Sequence, residues 1–239
     1  MKRRKFLAAA GLGSAALALP ATAQAAAAAP VADTDDTRKD TRKDTRNDTR
    51  DVPRYPQDAW YGQLPGKHRL FIDATNVEEA GDAVGFAWNY LRTSTSGYQE
   101  KDDDQAMVIC LRHSATAFAF SNEIWARYDV LRKEKYKNPE TGKKVKGGNV
   151  LRPGSTSPKS ADDAFTLDGL ARRGVHFAIC GAATRGLAGQ IAGEKATREE
   201  RQKVVDELMA NGPANAHFMA SGILAAQRAG EYGYSIIKA

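Results

Sequence analysis

Cysteine and histidine are scarce in this chain, which has two cysteines and four histidines among its 239 residues. So few cysteines exclude a small domain that is held together by several disulfides. The histidines are His68, His113, His176 and His217, and they lack the paired spacing that metal ligands show. The sequence therefore predicts no metal centre.

Nucleotide-binding motifs are missing as well. No Gly-x-Gly-x-x-Gly follows the first apolar strand, and the chain has no Walker-type Gly-Lys-Ser/Thr. Both motifs place glycine amides around a phosphate group. Nothing in the sequence indicates a nucleotide, and we expect no cofactor.

A long hydrophobic run is also absent, because the apolar stretch at 8–19 is shorter than the roughly 20 residues of a transmembrane helix. It follows Lys2-Arg3-Arg4-Lys5 and precedes small residues at 21–25. This pattern predicts a twin-arginine signal peptide over 1–25, with an ordinary secretory signal as the alternative. Either signal directs the mature protein to the periplasm or the medium, with no stable membrane span after cleavage.

The positive charge of the chain lies mostly in this leader, which supplies four of the six net positive charges. The mature chain is therefore close to neutral. A basic character that depends on a removable segment does not indicate a nucleic-acid partner, and we expect none.

A low-complexity segment follows the leader. Asp-Thr-Arg-Lys repeats begin at Asp36, and no apolar residue occurs from Asp35 to Asp51. A segment without an apolar face cannot pack on a core. We expect a disordered charged linker over 26–58.

Residues 59–239 alternate apolar strands with amphipathic helices. The patterns predict strands at 67–74, 106–113, 175–180, 216–220 and 232–238, and helices at 77–91, 117–131, 162–173, 182–191, 197–211 and 222–229. Asn76 and Thr197 are the expected N-caps of two of these helices. This alternation predicts an α/β fold with a doubly wound, mainly parallel five-stranded sheet and helices on both faces.

A lysine- and glycine-rich stretch at 132–161 interrupts the alternation. We interpret it as an inserted loop, because it combines charge, glycine and proline without an apolar period. A solvated loop and a lid or interface arm are both open interpretations.

Cys180 is the candidate catalytic residue. It ends an apolar strand and is followed by the small residues Gly181, Ala182 and Ala183. Ligands of such sheets bind at the carboxyl ends of the strands, and helix N-terminal amides favour a thiolate there. A small buried core cysteine is the alternative.

Other side chains are expected near the same edge of the sheet. Arg185 follows one turn into the helix and could add positive charge, although a solvated helix residue is an equal interpretation. His113 ends the second strand and could act as a base or donor, or be a structural histidine. Asn76 lies at the end of the first strand, where it is either a ligand-binding residue or the N-cap of the next helix.

The segment Cys180 to Gly186, together with the closing segment at 221–234, resembles the DsrE/DsrF-like proteins of sulfur metabolism. The resemblance extends from His68 to Lys238. It implies a flavodoxin-like fold, a homo-oligomer, and a persulfide on the residue that matches Cys180, exchanged with a sulfur donor or acceptor protein.

In a flavodoxin-like strand order, the strands of Cys110 and Cys180 would both flank the first strand. Strands two places apart are about 9 to 10 Å apart, beyond the roughly 7 Å limit between the Cα atoms of a disulfide. We therefore expect no disulfide, and a core position for Cys110. Two functions stay open: an exported persulfide carrier, or a non-catalytic domain that binds a small ligand or a protein.

Overall fold

The computed structural model describes residues 53–128, 130–131, 148–152 and 165–239. The predicted signal peptide, the linker as far as residue 52 and most of the predicted insert lie outside these residues. The described residues fall in one compact unit of the chain.

Five parallel strands form one sheet, in the order β4-β3-β2-β1-β5. They are β1 (His68–Ala74), β2 (Gln105–Leu111), β3 (His176–Cys180), β4 (Ala216–Met219) and β5 (Ser235–Lys238). β2 is buried along its whole length, as expected of a central strand covered on both faces.

Helices cover both faces of this sheet. In chain order they are α1 (Trp60–Gln63), α2 (Val77–Tyr98), α3 (Asn122–Arg127), α4 (Leu167–Arg172), α5 (Gly181–Ala192), α6 (Arg198–Ala210) and α7 (Gly222–Glu231). α2, α4, α5 and α6 contribute to the larger apolar core, and α1 and α7 to the smaller one. The predicted flavodoxin-like α/β fold, with a doubly wound parallel sheet and helices on both faces, is therefore confirmed. None of the helices in the described ranges has the length and apolar character that crossing a membrane requires.

Two predicted helix starts are confirmed by their caps. The Asn76 side chain accepts a hydrogen bond from the Glu79 N–H over 2.9 Å at the start of α2. Thr197 and Glu200 form a reciprocal capping box at the start of α6. α2 continues to Tyr98, seven residues beyond its predicted end.

The predicted helix at 117–131 is confirmed only over Asn122–Arg127. A 3₁₀ helix spans His113–Ala119, and α3 starts only at Asn122. Asn149, a buried residue of the predicted insert, donates from Nδ2 to the carbonyls of Phe118 and Phe120 at 2.7 and 2.8 Å. Because a distant side chain satisfies these carbonyls, the backbone does not need a continuous helix here.

Some residues of the predicted insert pack on the domain. Arg152 donates from Nη1 to the carbonyls of Ala119 and Asn211 at 2.8 and 2.7 Å, and its Nε lies 3.1 Å from Asp168 Oδ1. Residues 148–152 are thus attached near the start of α3 and the end of α6. The 3₁₀ helix Pro56–Asp58 lies inside the predicted disordered linker of 26–58, and Asp58 is buried, so the last residues of that stretch are ordered. The helix Trp60–Gln63 directly after it was not predicted either.

The strand order corrects one expectation about the cysteines. β2 and β3 are direct neighbours, with Cys110 opposite Ala178, and do not flank β1 on opposite sides. Cys110 and Cys180 are both free and buried. Neighbouring strands and a stagger of two residues put their Cα atoms roughly 8 Å apart, which still exceeds disulfide geometry.

Candidate functional site

Cys180 is the N-cap of α5, at the predicted junction of strand and helix. Its Sγ accepts a hydrogen bond from the Ala183 N–H over 3.4 Å. Its carbonyl accepts from Thr184 Oγ1 over 3.0 Å. The first turn of α5 therefore directs a backbone amide at the sulfur atom, in a position that stabilises negative charge.

The two cysteines differ in their surroundings. Cys110 is 0% exposed, and its Sγ lies 3.8 Å from the Gly222 carbonyl. Burial, followed by the nearby Asp73 carboxylate, raises the pKa of the Cys110 thiol well above its ordinary value. Cys180 keeps 6% of its surface exposed. Cys110 is thus a core thiol, as predicted, and Cys180 lies closer to solvent.

Gly181 permits the close approach of α5 to the end of β4. A Cβ at this position would lie 2.6 Å from the Met219 carbonyl oxygen and 3.2 Å from Arg185 Nη1. Real Cβ atoms do not come that close, so a side chain at 181 would push the first turn of α5 outward. The position of the Cys180 cap therefore depends on glycine here.

Arg185 and Ala182 lie on the exposed side of α5. Arg185 donates from Nη2 to the Ala220 carbonyl over 3.3 Å. This contact connects α5 to the chain just beyond β4. The arrangement supports a structural contribution of Arg185 beside the cysteine junction.

A cavity of about 300 Å³ lies between α5 and the 3₁₀ helix His113–Ala119. It brings together two predicted site residues, His113 and Ala183. Ala183 also donates its N–H to Cys180, so the thiol lies one hydrogen bond away from the cavity wall. The other lining residues are Ser114, Thr116, Ala117, Val130, Leu131, Gly186, Leu187 and Gln190.

Sequence reasoning missed most of this lining. Ala183, Gly186, Leu187 and Gln190 follow the three- and four-residue spacing of one helix face. This spacing is the sequence signal that could have identified the α5 side of the cavity. His113 has a φ of 53°, in the left-handed region that non-glycine residues seldom adopt, and nothing in the sequence indicates that conformation.

The Asn76 side chain caps α2, which confirms the capping interpretation of this residue. The residues that line the cavity include His113 and Ala183 but not Asn76.

A salt bridge stiffens the same edge of the sheet. Arg112, directly before His113, donates from Nε and Nη2 to the two carboxylate oxygens of Asp73, both over 2.8 Å. Gly222 packs closely against the Arg112 side chain. A Cβ added at position 222 would lie only 2.4 Å from the Arg112 Cβ. The bidentate pair fixes the ends of β1 and β2 relative to each other.

The topological switch point of the sheet lies between β1 and β5, because the chain crosses from β4 to the far side of β1. Charged and polar side chains of the protein itself interact at this position. Lys238 Nζ is 3.1 Å from Glu79 Oε1, and the Thr75 N–H and hydroxyl donate to Glu79 Oε2 over 2.7 and 2.6 Å. Burial opposes ionisation of Glu79, but the bonds from Thr75 and Lys238 lower its pKa to about 2. A site at this position would first have to open these contacts.

A histidine pair lies at the opposite ends of β3 and β4 from Cys180. His176 Nδ1 and His217 Nε2 are 3.0 Å apart. Burial lowers the pKa of both imidazoles, and for His217 burial and the His176 charge lower it to about 4. Both rings are therefore neutral near neutral pH.

The described residues contain no group of three or more His, Cys, Asp or Glu side chains placed to hold a metal ion. Comparisons of the chain with protein-family models, with curated proteins and with solved structures find no match.

Proposed function

We propose that this protein is an exported persulfide carrier of the DsrE/DsrF-like kind, with Cys180 as the residue that accepts sulfur. One observation carries the proposal: the Cys180 sulfur caps α5 and accepts the Ala183 N–H at the carboxyl edge of a parallel sheet. Helix N-terminal amides stabilise a thiolate. The thiolate is the form that attacks a sulfane sulfur.

The proposed step moves one sulfur atom without net oxidation. The Cys180 thiolate attacks the terminal sulfur of a donor persulfide, the donor's S–S bond breaks, and its electron pair leaves on the donor thiolate. The new S–S bond is on Cys180, and the reverse attack by an acceptor thiolate regenerates the cysteine. The Ala183 N–H stabilises the charge on Cys180 before the attack and after the release.

His113 and the cavity have a supporting role in this proposal. The cavity of about 300 Å³ provides space beside the first turn of α5, and His113 lies in its wall. An imidazole there can protonate the departing thiolate or hold the proton of the incoming group. His113 is therefore proposed as a donor or base, and Arg185 as a positioning residue through its bond to Ala220.

Intact mass spectrometry tests the carrier. Incubation of the folded protein with a polysulfide, followed by removal of the reagent, should add about 32 Da, the mass of one sulfur atom. Cys180→Ser should gain nothing, and Cys110→Ala should gain as much as the wild type. Equal gain by Cys180→Ser, or none by the wild type while Cys180 is intact, would reject the carrier.

A second candidate function is a non-catalytic domain that binds a small ligand in the cavity. The small exposed fraction of Cys180, 6%, favours it, as does a cavity lining that combines apolar side chains with the polar residues His113, Ser114, Thr116 and Gln190. In that case the wild type gains no sulfur. Small molecules that raise its melting temperature should then lose this effect in Leu187→Trp, which fills the cavity.

We also propose that the protein is a homo-oligomer, as the resemblance implies. Apolar side chains support this proposal, because Ile223, Ile236 and Ile237 are 67%, 47% and 39% exposed. The last two lie on β5, an edge strand of the sheet, and edge strands readily pair with other chains. Light scattering of the purified protein measures the mass of the particle in solution and so distinguishes a homo-oligomer from a monomer.

A further inference from the structure

The histidine pair joins two strands far apart in sequence. His176 opens β3, and His217 lies on β4, opposite Ala178. Their ring nitrogens Nδ1 and Nε2 approach to 3.0 Å across the strands. His176 is four residues from Cys180 on an extended strand, roughly 13 Å away, so the pair is separate from the thiol site.

Aromatic side chains hold this pair in place on one side. The Trp60 indole stacks on the His217 ring with 3.7 Å between centroids and 2° between planes. Tyr61 stacks on Trp60 at 3.8 Å and is itself fully buried. The Trp60 stack therefore keeps the His217 ring from tilting out of its plane, while both histidines remain partly exposed to solvent.

We propose that His176 and His217 form a two-imidazole binding site for a divalent transition-metal ion that takes nitrogen ligands at right angles, with Cu²⁺ the best fit. Imidazole nitrogens bind such ions at about 2.0–2.1 Å. Two nitrogens that are 3.0 Å apart then subtend an angle of roughly 91–97° at the ion. This is the angle between neighbouring ligands in the square-planar and tetragonal geometry of Cu²⁺ and Ni²⁺, and tetrahedral Zn²⁺ would need a wider separation.

Binding requires a change of tautomer and a rotation of each ring within its own plane, because the two nitrogens now face each other. The hydrogen atom that now lies between the two nitrogens moves to the opposite nitrogen of its own ring, through solvent. Each imidazole keeps one proton, both lone pairs turn to the ion, and no proton is released. Water fills the remaining positions, because the described residues offer no third metal-binding side chain in a group with these two. We therefore expect exchangeable binding, and not a structural metal.

Copper titration of the full-length protein tests the site. Cu²⁺ added in amounts below one equivalent should give an electron paramagnetic resonance spectrum with coupling to two equatorial nitrogens. It should also quench tryptophan fluorescence, since Trp60 stacks on a ligand ring. His176→Asn and His217→Asn should each weaken binding by at least about tenfold, the scale of a lost metal-site contact.

Three control variants separate this site from other copper ligands. His68→Asn removes a histidine that pairs only with Glu100 in the described contacts, and should leave binding unchanged. Trp60→Phe should keep the nitrogen coupling and lose most of the quenching. Cys180→Ser should bind Cu²⁺ like the wild type, whatever the fate of the persulfide proposal.

Two results would overturn the inference. One is equal Cu²⁺ affinity of the wild type and His176→Asn, with circular dichroism showing that both are folded. The other is binding that disappears in Cys180→Ser and survives in both histidine variants. If His217→Asn fails to fold because the Trp60 stack is lost, His176→Asn and Trp60→Phe decide the question.

Discussion

Cys110 and Cys180 lie on neighbouring parallel strands and differ by two register positions, since Cys110 is opposite Ala178. They share one edge of the sheet but have different neighbours. The Cys110 sulfur faces the Gly222 carbonyl and the Asp73 carboxylate, whereas the Cys180 sulfur accepts a helix amide. Strands of the same sheet thus place one thiol in a buried setting beside a carboxylate and the other against a helix N-terminal amide.

The first prediction is a difference in reactivity between the two thiols. Iodoacetamide at neutral pH should modify Cys180 in the folded protein and leave Cys110 intact until denaturant is added, because Cys110 is fully buried and its pKa is raised. Peptide mapping after timed quenching measures both rates. Modification of Cys110 at the same rate as Cys180 would contradict this picture.

Local patterns predicted much of the fold. The apolar runs gave all five strands, and the caps Asn76 and Thr197 marked helix starts correctly, because each depends on residues within one or two turns. The break at Phe120 could not be predicted, since it depends on Asn149, about thirty residues away.

Local sequence patterns could not predict the strand order or the histidine pair either, because both depend on contacts between segments that are distant in the sequence. Alternation of strands and helices does not state on which side of β1 each later strand is added. Cys180 was placed correctly at its junction, but its neighbour strands were not. His176 and His217 show no ligand spacing because β3 and β4, and not the chain between them, bring them together.

The second prediction concerns the proposed export signal. Replacing Arg3 and Arg4 by lysine keeps the charge but removes the twin-arginine pattern that the export receptor reads. The double variant should accumulate unprocessed in the cytoplasm, and Lys2→Arg should be exported normally. Cell fractionation with intact mass shows where each form lies. Normal processing of the double variant would support the ordinary secretory alternative.

The third prediction tests the glycine at the cysteine junction. Gly181→Ala would place a Cβ 2.6 Å from the Met219 carbonyl oxygen, so it should lower the free energy of unfolding by about 1–3 kcal/mol, as overpacking does. The matched control is Gly189→Ala in the same helix, where an added Cβ has no neighbour within 4 Å. It should be neutral or stabilising by up to about 1 kcal/mol. Urea unfolding compares the two, and equal effects would show that the close approach is unimportant.

The last prediction is a pH dependence of stability that comes from Glu79. Hydrogen bonds from Thr75 and the Lys238 ammonium hold its pKa at about 2, below the ordinary value of 4.5. Between these two values the unfolded chain binds more protons than the folded one, so stability rises with pH. The contribution of Glu79 is complete above about pH 4.5 and is lost as the pH falls toward 2.

Glu79→Gln should therefore cost stability at pH 7 and progressively less as the pH falls from 4.5 to 2. Because Lys238 is 63% exposed and solvent screens its charge, we expect a cost of about 1–2 kcal/mol at pH 7. Glu78→Gln, an exposed neighbour in the same helical turn, should change stability little at either pH. Denaturant unfolding at pH 7 and pH 3 measures both variants against the wild type. A Glu79→Gln cost that stays constant with pH would mean that the carboxylate charge contributes nothing at the β1–β5 switch point.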